Sequence, residues 1–143
     1  MFIFILMRLP LLILGFLWAT SGQAGGLLVI ASPAVPDAAI SVKQLADIYS
    51  LKKTFWADST RVVPVNREIS SAERDNFSDA VFNLSPEELA EYWNRLNFQG
   101  KLPPLVQTSD QAVVGFVRSV PGAIGYVSGD SAPKGVKVLL RLP

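Results

Sequence analysis

Residues 61–77, RVVPVNREISSAERDNF, change character halfway along their length. The first half, Arg61–Asn66, is rich in β-branched valine and predicts a strand. The second half predicts a helix that begins at Ser70 with a capping box. There the Ser70 side chain accepts the backbone N–H of Glu73, and the Glu73 carboxylate returns to the Ser70 N–H. The stretch therefore predicts a strand that leads through a short polar turn into a helix.

The turn between this strand and this helix is a candidate anion site. The helix dipole places a partial positive charge there, and free N–H groups point towards the turn. Arg67 and Arg74 flank the turn and can donate bidentate hydrogen bonds to a phosphate-like group. Two points oppose this interpretation: most capped helices after strands bind nothing, and Glu68, Glu73 and Asp75 repel an anion. From these residues alone, both interpretations stay open.

The N-terminus has the pattern of a secretory signal peptide. Met1–Leu17 is almost continuously apolar, and the small-residue segment ATSGQA follows at residues 19–24. Cleavage is expected after Ala24. This divides the chain into a signal peptide at residues 1–24 and a domain at residues 25–143.

Two alternatives concern the same segment. Translation from Met7 instead of Met1 would give the leader a conventional basic start at Arg8. A retained membrane anchor is the other alternative, because the apolar run approaches the ~20 residues that span a bilayer. Pro10 and the small-residue exit favour a cleaved leader, and we expect a periplasmic protein that meets the membrane only if the leader stays uncleaved.

Composition excludes several classes of function. The 143 residues include 13 Lys and Arg against 12 Asp and Glu, and one of the basic residues, Arg8, belongs to the leader. The balanced, scattered charge of the remainder predicts no nucleic-acid binding. The chain contains no histidine and no cysteine, which excludes disulfides, thiolate catalysis and histidine-based metal sites. We expect no cofactor.

Apolar runs alternate with capped helical segments along the rest of the chain. Strands are predicted at Leu27–Ala31, Arg61–Asn66, Leu105–Gln107, Ala123–Val127 and Val136–Leu140. Helices are predicted from Ser41 to about Tyr49, about Ser71 to Phe82, Ser85 to about Gln99, and Ser109–Val120. This alternation predicts a single α/β domain with a mixed sheet of about five strands and helices on both faces.

No residue pattern indicates catalysis. Ser70 and Ser71 have no histidine to activate them, so we predict that the protein is not an enzyme. Trp56, Tyr92 and Trp93 are expected to be core residues rather than a stacking platform.

The order of segments resembles the periplasmic substrate-binding proteins of ABC-type phosphate uptake, in particular a short single-domain branch of that superfamily. The segments that carry the resemblance are VKQLADIY (42–49), KKTFWAD (52–58), VVPVNR (62–67), SSA with Arg74 and Phe77 (70–77), LAEYWNRLNFQG (89–100) and PGAIGYVS (121–128). They cover nearly all of the chain after the leader.

The resemblance implies a periplasmic-binding-protein type 2-like lobe that holds an oxyanion at a helix N-terminus. Arg67 matches the family's phosphate-gripping arginine, and Ser70-Ser71-Ala72 or Ser71-Ala72-Glu73 stands where the family has Ser-Gly-Thr. The ligand-binding residues that the resemblance implies are Arg67, Ser70, Ser71, Ala72 and Arg74. The glycine and the threonine are missing, which removes a close backbone approach and one hydroxyl donor.

Two functions follow from the resemblance. The first is a periplasmic solute-binding protein for phosphate or a similar oxyanion, with an ABC transporter permease or another envelope protein as its partner. The alternative is an exported interaction module that keeps the fold and has lost the ligand. Because the chain after the leader corresponds to about one lobe of the larger relatives, a bound anion would stay partly in water, where charged contacts are weak.

Overall fold

A computed structural model describes residues 26–129 and 132–143. Its strands are β1 (Leu27–Ala31), β2 (Val63–Arg67), β3 (Leu105–Gln107), β4 (Ala123–Ser128) and β5 (Lys137–Leu142). Its helices are α1 (Val42–Tyr49), α2 (Ala72–Val81), α3 (Pro86–Phe98) and α4 (Asp110–Ser119). The five strands form one mixed sheet in the order β3-β2-β4-β1-β5, which confirms the predicted α/β class.

The sheet has an antiparallel half and a parallel half. β1 lies antiparallel between β4 and β5, with Val29 opposite Tyr126 and Leu140. β2 lies parallel between β4 and β3, with Arg67 opposite Gln107. Because β2 and β4 are parallel, their carboxyl ends meet at the same edge of the sheet, and this places Arg67 near Ser128.

Both faces of the sheet are covered by helices, as predicted. On one face α1 and α2 pack through a cluster that includes Leu45, Ile48 and Phe77. On the other face α4 packs Val113 and Val117 against residues such as Ile30 and Val65. Cover by helices on both faces explains why β1 and β4 are almost continuously apolar.

A glycine sets the distance between α4 and the sheet. A Cβ atom on Gly125 of β4 would lie 2.7 Å from Cγ1 of Val113 and 3.3 Å from Cγ2 of Val117. Because a normal side chain does not fit there, Gly125 allows α4 to approach the sheet closely.

The starts of α1, α3 and α4 agree with the sequence prediction, and Ser109 is the N-cap of α4. Ser41 caps α1 in a full capping box with Gln44. Ser85 caps α3 by accepting the N–H of Glu88 at 3.2 Å, with a proline in the first turn. The helices therefore begin where the side chains can satisfy N–H groups that lack an intrahelical partner.

The start of α2 corrects the prediction. The N-cap is Ser71, whose Oγ accepts the N–H of Arg74 at 3.1 Å, and not Ser70 in a box with Glu73. Ser71 is held in this role from the other side as well, since its hydroxyl donates to the carbonyl of Glu68 at 2.9 Å. The N-cap of α2 is therefore one residue later than the sequence predicts.

The bounds of β2 and β5 also differ from the prediction. β2 begins at Val63 rather than Arg61, because Arg61 forms an isolated antiparallel bridge with Phe55. β2 continues through Arg67, so that this arginine ends the strand rather than lying in the turn. β5 runs from Lys137 to Leu142, one residue later at its start and two at its end than predicted.

The predicted leader and its cleavage point lie outside the described residues. Among residues 26–129 and 132–143, none of the helices has the length and hydropathy to cross a bilayer.

Candidate functional site

The carboxyl end of β2 holds a nearly buried arginine. The Arg67 side chain is 8% exposed and forms a two-point ion pair with Glu68, from Nε to Oε2 at 3.1 Å and from Nη2 to Oε1 at 3.2 Å. Its Nη1 lies 2.5 Å from Oδ1 of Asp110, and its Nη2 lies 3.8 Å from Oε2 of Glu73. One guanidinium group therefore faces three carboxylates.

These contacts shift the pKa values of Arg67 and Glu68. The hydrogen bonds from Arg67 hold the pKa of the Glu68 carboxyl below its ordinary value. The same hydrogen bonds raise the pKa of Arg67, and the charges of Glu68, Glu73 and Asp110 add to the effect against the opposing influence of burial. Both groups are consequently charged around neutral pH.

Asp110 connects the arginine to β4. It is the first residue of α4, which begins after the N-cap Ser109. While Oδ1 binds Arg67, Oδ2 accepts the N–H of Ser128 at 3.2 Å and its hydroxyl at 2.5 Å. Asp110 therefore joins the ends of β2 and β4 to the start of α4.

The backbone of Arg67 is held by two side chains. The Arg67 N–H donates to Oδ1 of Asn66 at 3.0 Å and to the hydroxyl of Tyr126 at 3.2 Å, and that hydroxyl in turn donates to Oδ1 of Asn66. The Tyr126 ring stacks on Phe77 with a centroid distance of 4.0 Å and an interplanar angle of 5°. Burial raises the pKa of Tyr126 to about 12. The aromatic core thus fixes the position of the arginine.

The turn before α2 brings together three of the five residues that sequence implied as ligand-binding. Ser71 holds the turn by donating its N–H to the carbonyl of Glu68 at 3.0 Å. Arg74 reaches back, and its Nη1 donates to the carbonyl of Arg67 at 3.0 Å. Ser70 lies exposed in the turn, and Ala72 lies exposed at the first position of α2.

The electrostatic balance at this position is negative. The carboxylates of Glu68, Glu73 and Asp110 all face Arg67, while Arg74 donates to the carbonyl of Arg67, so three acidic side chains stand against two arginines. The anion site predicted from sequence requires a turn whose charges attract anions. The observed charges attract an anion only when a carboxylate leaves Arg67.

Residues that sequence analysis did not include complete this cluster: Asn66, Asp110, Tyr126 and Ser128. The sequence contains a signal for the position of one of them, Ser128. Since β2 and β4 were both predicted as strands of one sheet, a parallel pairing would place the residue after the predicted strand Ala123–Val127, Ser128, at the edge where Arg67 lies.

The aromatic residues have different surroundings. Trp56 is 2% exposed and donates its indole N–H to the carbonyl of Gly122 at 2.9 Å, as expected of a core residue. Tyr92 and Trp93 are only half-buried, and they line a cleft of about 250 Å³ between α1, α2 and α3.

Solved structures share this fold. One is a protein from Clostridium perfringens described as a phosphate ABC transporter substrate-binding protein with bound phosphate, with a TM-score of 0.66 and 24% identity over 80% of this chain. A second is an ABC-type phosphate transport receptor from Vibrio cholerae, with a TM-score of 0.64 and 23% identity over 80% of this chain. A third is PstS from Borrelia burgdorferi, with a TM-score of 0.65 and 22% identity over 80% of this chain. The present chain spans less than half of each of them: 44%, 45% and 46% of their lengths.

Sequence comparison gives the family. Among curated proteins no match is found. A family profile described as a PBP superfamily domain matches residues 17–138, which is most of the sequence. The chain therefore belongs to the PBP superfamily.

Proposed function

We propose that this protein is an exported, single-lobe solute-binding domain that binds phosphate or a similar oxyanion at Arg67 for an ABC-type uptake or sensing system. The family membership and the fold support a solute-binding domain. The Clostridium perfringens protein of the same fold is described with bound phosphate, and this supports phosphate as the ligand. Relatives described as transport proteins also support a role in binding rather than catalysis.

The observation that carries the proposal is the geometry of the Arg67 guanidinium. Its Nε and Nη2 atoms already donate in parallel to two oxygens of one anionic group, at 3.1 and 3.2 Å. Phosphate presents the same pair of oxygens, and arginine prefers such bidentate acceptors. Tyr126 and Asn66 hold the Arg67 backbone and Asp110 holds Nη1, so the Nε and Nη2 donors are oriented before any ligand arrives.

Binding at this position is expected to be weak and sensitive to salt. The carboxylates that now contact Arg67 are 30% and 29% exposed, so an anion in the same position stays partly in contact with water. A partly hydrated anion gains less from each charged contact than an enclosed one, and salt screens the remainder.

Calorimetric titration of the purified protein with inorganic phosphate and with sulfate tests the proposal. We expect saturable heat in the millimolar range or below that decreases with added salt. Arg67→Lys keeps the charge but loses the two-point contact, and this should weaken binding about tenfold. Lys101→Ala, which removes an exposed charge from the loop after α3, serves as the control and should leave the affinity unchanged. Absence of heat with both anions at millimolar concentration contradicts the proposal.

An exported interaction module without a ligand is the second candidate. The observation that favours it is that Glu68 and Asp110 already satisfy the Arg67 guanidinium. This alternative expects the same thermal midpoint with and without anions, and a partner that co-purifies reproducibly from an envelope extract. A binder of the folded state would instead raise unfolding free energy by about 2.7 kcal/mol at a hundredfold excess over Kd.

Export itself is part of the proposal. Signal-peptide cleavage after Ala24 and a periplasmic location are supported by the leader pattern of residues 1–24. N-terminal sequencing of the exported protein should begin at Gly25. A mature protein that begins at Met1 or Met7 would indicate a retained leader.

A further inference from the structure

The two close carboxylates on Arg67 are anchored differently. Asp110 binds Arg67 through Oδ1 and is held through Oδ2 by the N–H and the hydroxyl of Ser128. Glu68 places both of its oxygens on Arg67, and in the described part of the chain no other side chain holds its carboxylate. Asp110 is held by two other residues, Arg67 and Ser128, whereas Glu68 is held by one other residue, Arg67, and by its own backbone N–H.

Solvent access does not explain this difference. The side chains of Glu68 and Asp110 are 30% and 29% exposed, so water reaches both to a similar extent. The difference between the two carboxylates is therefore the anchoring of Asp110 by Ser128, which Glu68 lacks.

The backbone of Glu68 stays fixed when its side chain moves. The Glu68 carbonyl accepts the N–H of Ser71 at 3.0 Å and the Ser71 hydroxyl at 2.9 Å. Rotation of the Glu68 side chain towards solvent therefore leaves the turn and the N-cap of α2 in place.

We infer that Glu68 occupies the oxyanion's place on Arg67 and sets the affinity of the site, while Asp110 is a positioning residue that stays on the guanidinium in both states. The inference rests on the proposed function, since it concerns the same site. An incoming oxyanion takes the Nε and Nη2 donors, and the Glu68 carboxylate moves into water. Arg67 keeps an anionic partner throughout, which avoids the penalty of an unpaired buried charge.

Phosphate titrations of two variants test the inference, because the expected changes have opposite signs. Glu68→Gln removes the competing ion pair and should bind phosphate about threefold to tenfold more tightly. Asp110→Asn loses the contact that orients the guanidinium and should bind about threefold to tenfold more weakly.

Charge-matched controls separate displacement from a general change of local potential. Glu73→Gln removes the same charge from a residue 3.8 Å from Nη2 of Arg67 that does not occupy the two-point position. Its gain in affinity should be clearly smaller than that of Glu68→Gln. Glu91→Gln, on the exposed side of α3, should leave the affinity within twofold of the original.

Two further measurements separate positioning from stability. In the double variant Glu68→Gln with Arg67→Lys the gain should disappear, since Glu68 acts through Arg67. Asp110→Glu should restore part of the affinity lost in Asp110→Asn, at temperatures where both variants are fully folded. A loss in Asp110→Asn that disappears when the fraction of folded protein is corrected for would overturn the positioning role.

The outcomes for the site and for the inference are distinguishable. Phosphate binding by the original protein with equal or weaker binding by Glu68→Gln overturns the inference and leaves the proposed function intact. Equal gains in Glu68→Gln and Glu73→Gln also overturn it, because they indicate a general effect of charge. Absence of phosphate binding in the original protein overturns the proposed function itself, whatever Glu68→Gln binds.

Discussion

The centre of the sheet is apolar and closed on both faces, whereas its β2–β3 side is open and charged. All five residues of β1 are buried, and β4 beside it is buried from Ala123 to Val127. In β3, by contrast, Leu105 and Val106 are 53% and 51% exposed, and β2 ends at the Arg67 ion pairs. The comparison indicates that the antiparallel centre supplies stability, while the ends of the parallel strands carry the polar chemistry.

The largest effect on stability is expected from Phe77 of α2. Its ring packs against the centre of the sheet and contacts Tyr126, which holds the backbone of Arg67. Its ring stacks on Tyr126 and meets Tyr49 edge-on at 4.7 Å. Phe77→Ala should lower the free energy of unfolding by about 3–5 kcal/mol, because it leaves a cavity in a closed core. Chemical denaturation measures the change.

Phe98→Ala is the matched control for this prediction. The Phe98 side chain is 93% exposed at the end of α3, and the same truncation should change the free energy of unfolding by about 0.5 kcal/mol or less. Similar losses in both variants would contradict the division between a stabilising centre and an open side.

An intermediate effect is expected from the titration of Tyr126, which connects the two regions. Burial raises its pKa to about 12 in the folded protein, whereas an unfolded tyrosine ionises near pH 10. Its contribution to stability is therefore complete below pH 10 and is lost as the pH rises from 10 to 12. Between those values the free energy of unfolding should fall by about 1 kcal/mol per pH unit on account of this residue.

Tyr126→Phe tests that contribution. The pKa of Tyr49 is raised as well, first by burial and then by the neighbouring Tyr126, so Tyr126→Phe removes the contribution of Tyr126 together with its influence on Tyr49. Denaturation curves between pH 9.5 and 11.5 should show a smaller pH-dependent loss in Tyr126→Phe than in the original protein. Parallel losses would show that the Tyr126 hydroxyl ionises as easily when folded as when unfolded.

The smallest effect is expected at the start of α2, on the open side. Ser71→Ala removes the N-cap and the hydrogen bond to the Glu68 carbonyl, and it should cost about 1 kcal/mol of unfolding free energy. Ser70→Ala changes the neighbouring exposed serine and should cost less than about 0.5 kcal/mol. Thermal or chemical unfolding of the pair distinguishes the two, and a larger loss in Ser70→Ala would restore the N-cap that sequence predicts.

The closed centre was predictable from the sequence because its signals are local. The run LLVIA at residues 27–31 and the segment AIGYV at residues 123–127 are strands in the structure, as predicted. The capping box from Ser41 to Gln44 also predicts the start of α1 correctly. In these segments, apolar pattern and turn chemistry agree, so the residues themselves determine the local structure.

The open side was less predictable because its structure depends on contacts between distant segments. Ser70 and Ser71 both fit an N-cap, and the choice of Ser71 rests on its contacts with Glu68 and Arg74. The contact between Arg67 and Asp110 joins residues separated by 43 positions, and no local pattern indicates it. Sequence therefore predicts that Arg67 flanks the turn before a helix, but not that acids of the same chain already bind it.

The position of β1 between β4 and β5 has a consequence for how the chain folds. The strand near the beginning pairs with Ala123–Ser128 and with Lys137–Leu142, both close to the other end. Pairings between residues so far apart in sequence require a large loop to close first, and this slows folding. During synthesis β1 has neither neighbour until the segments after residue 122 have been made, so the central sheet assembles only after α1, α2, α3 and α4 have been made.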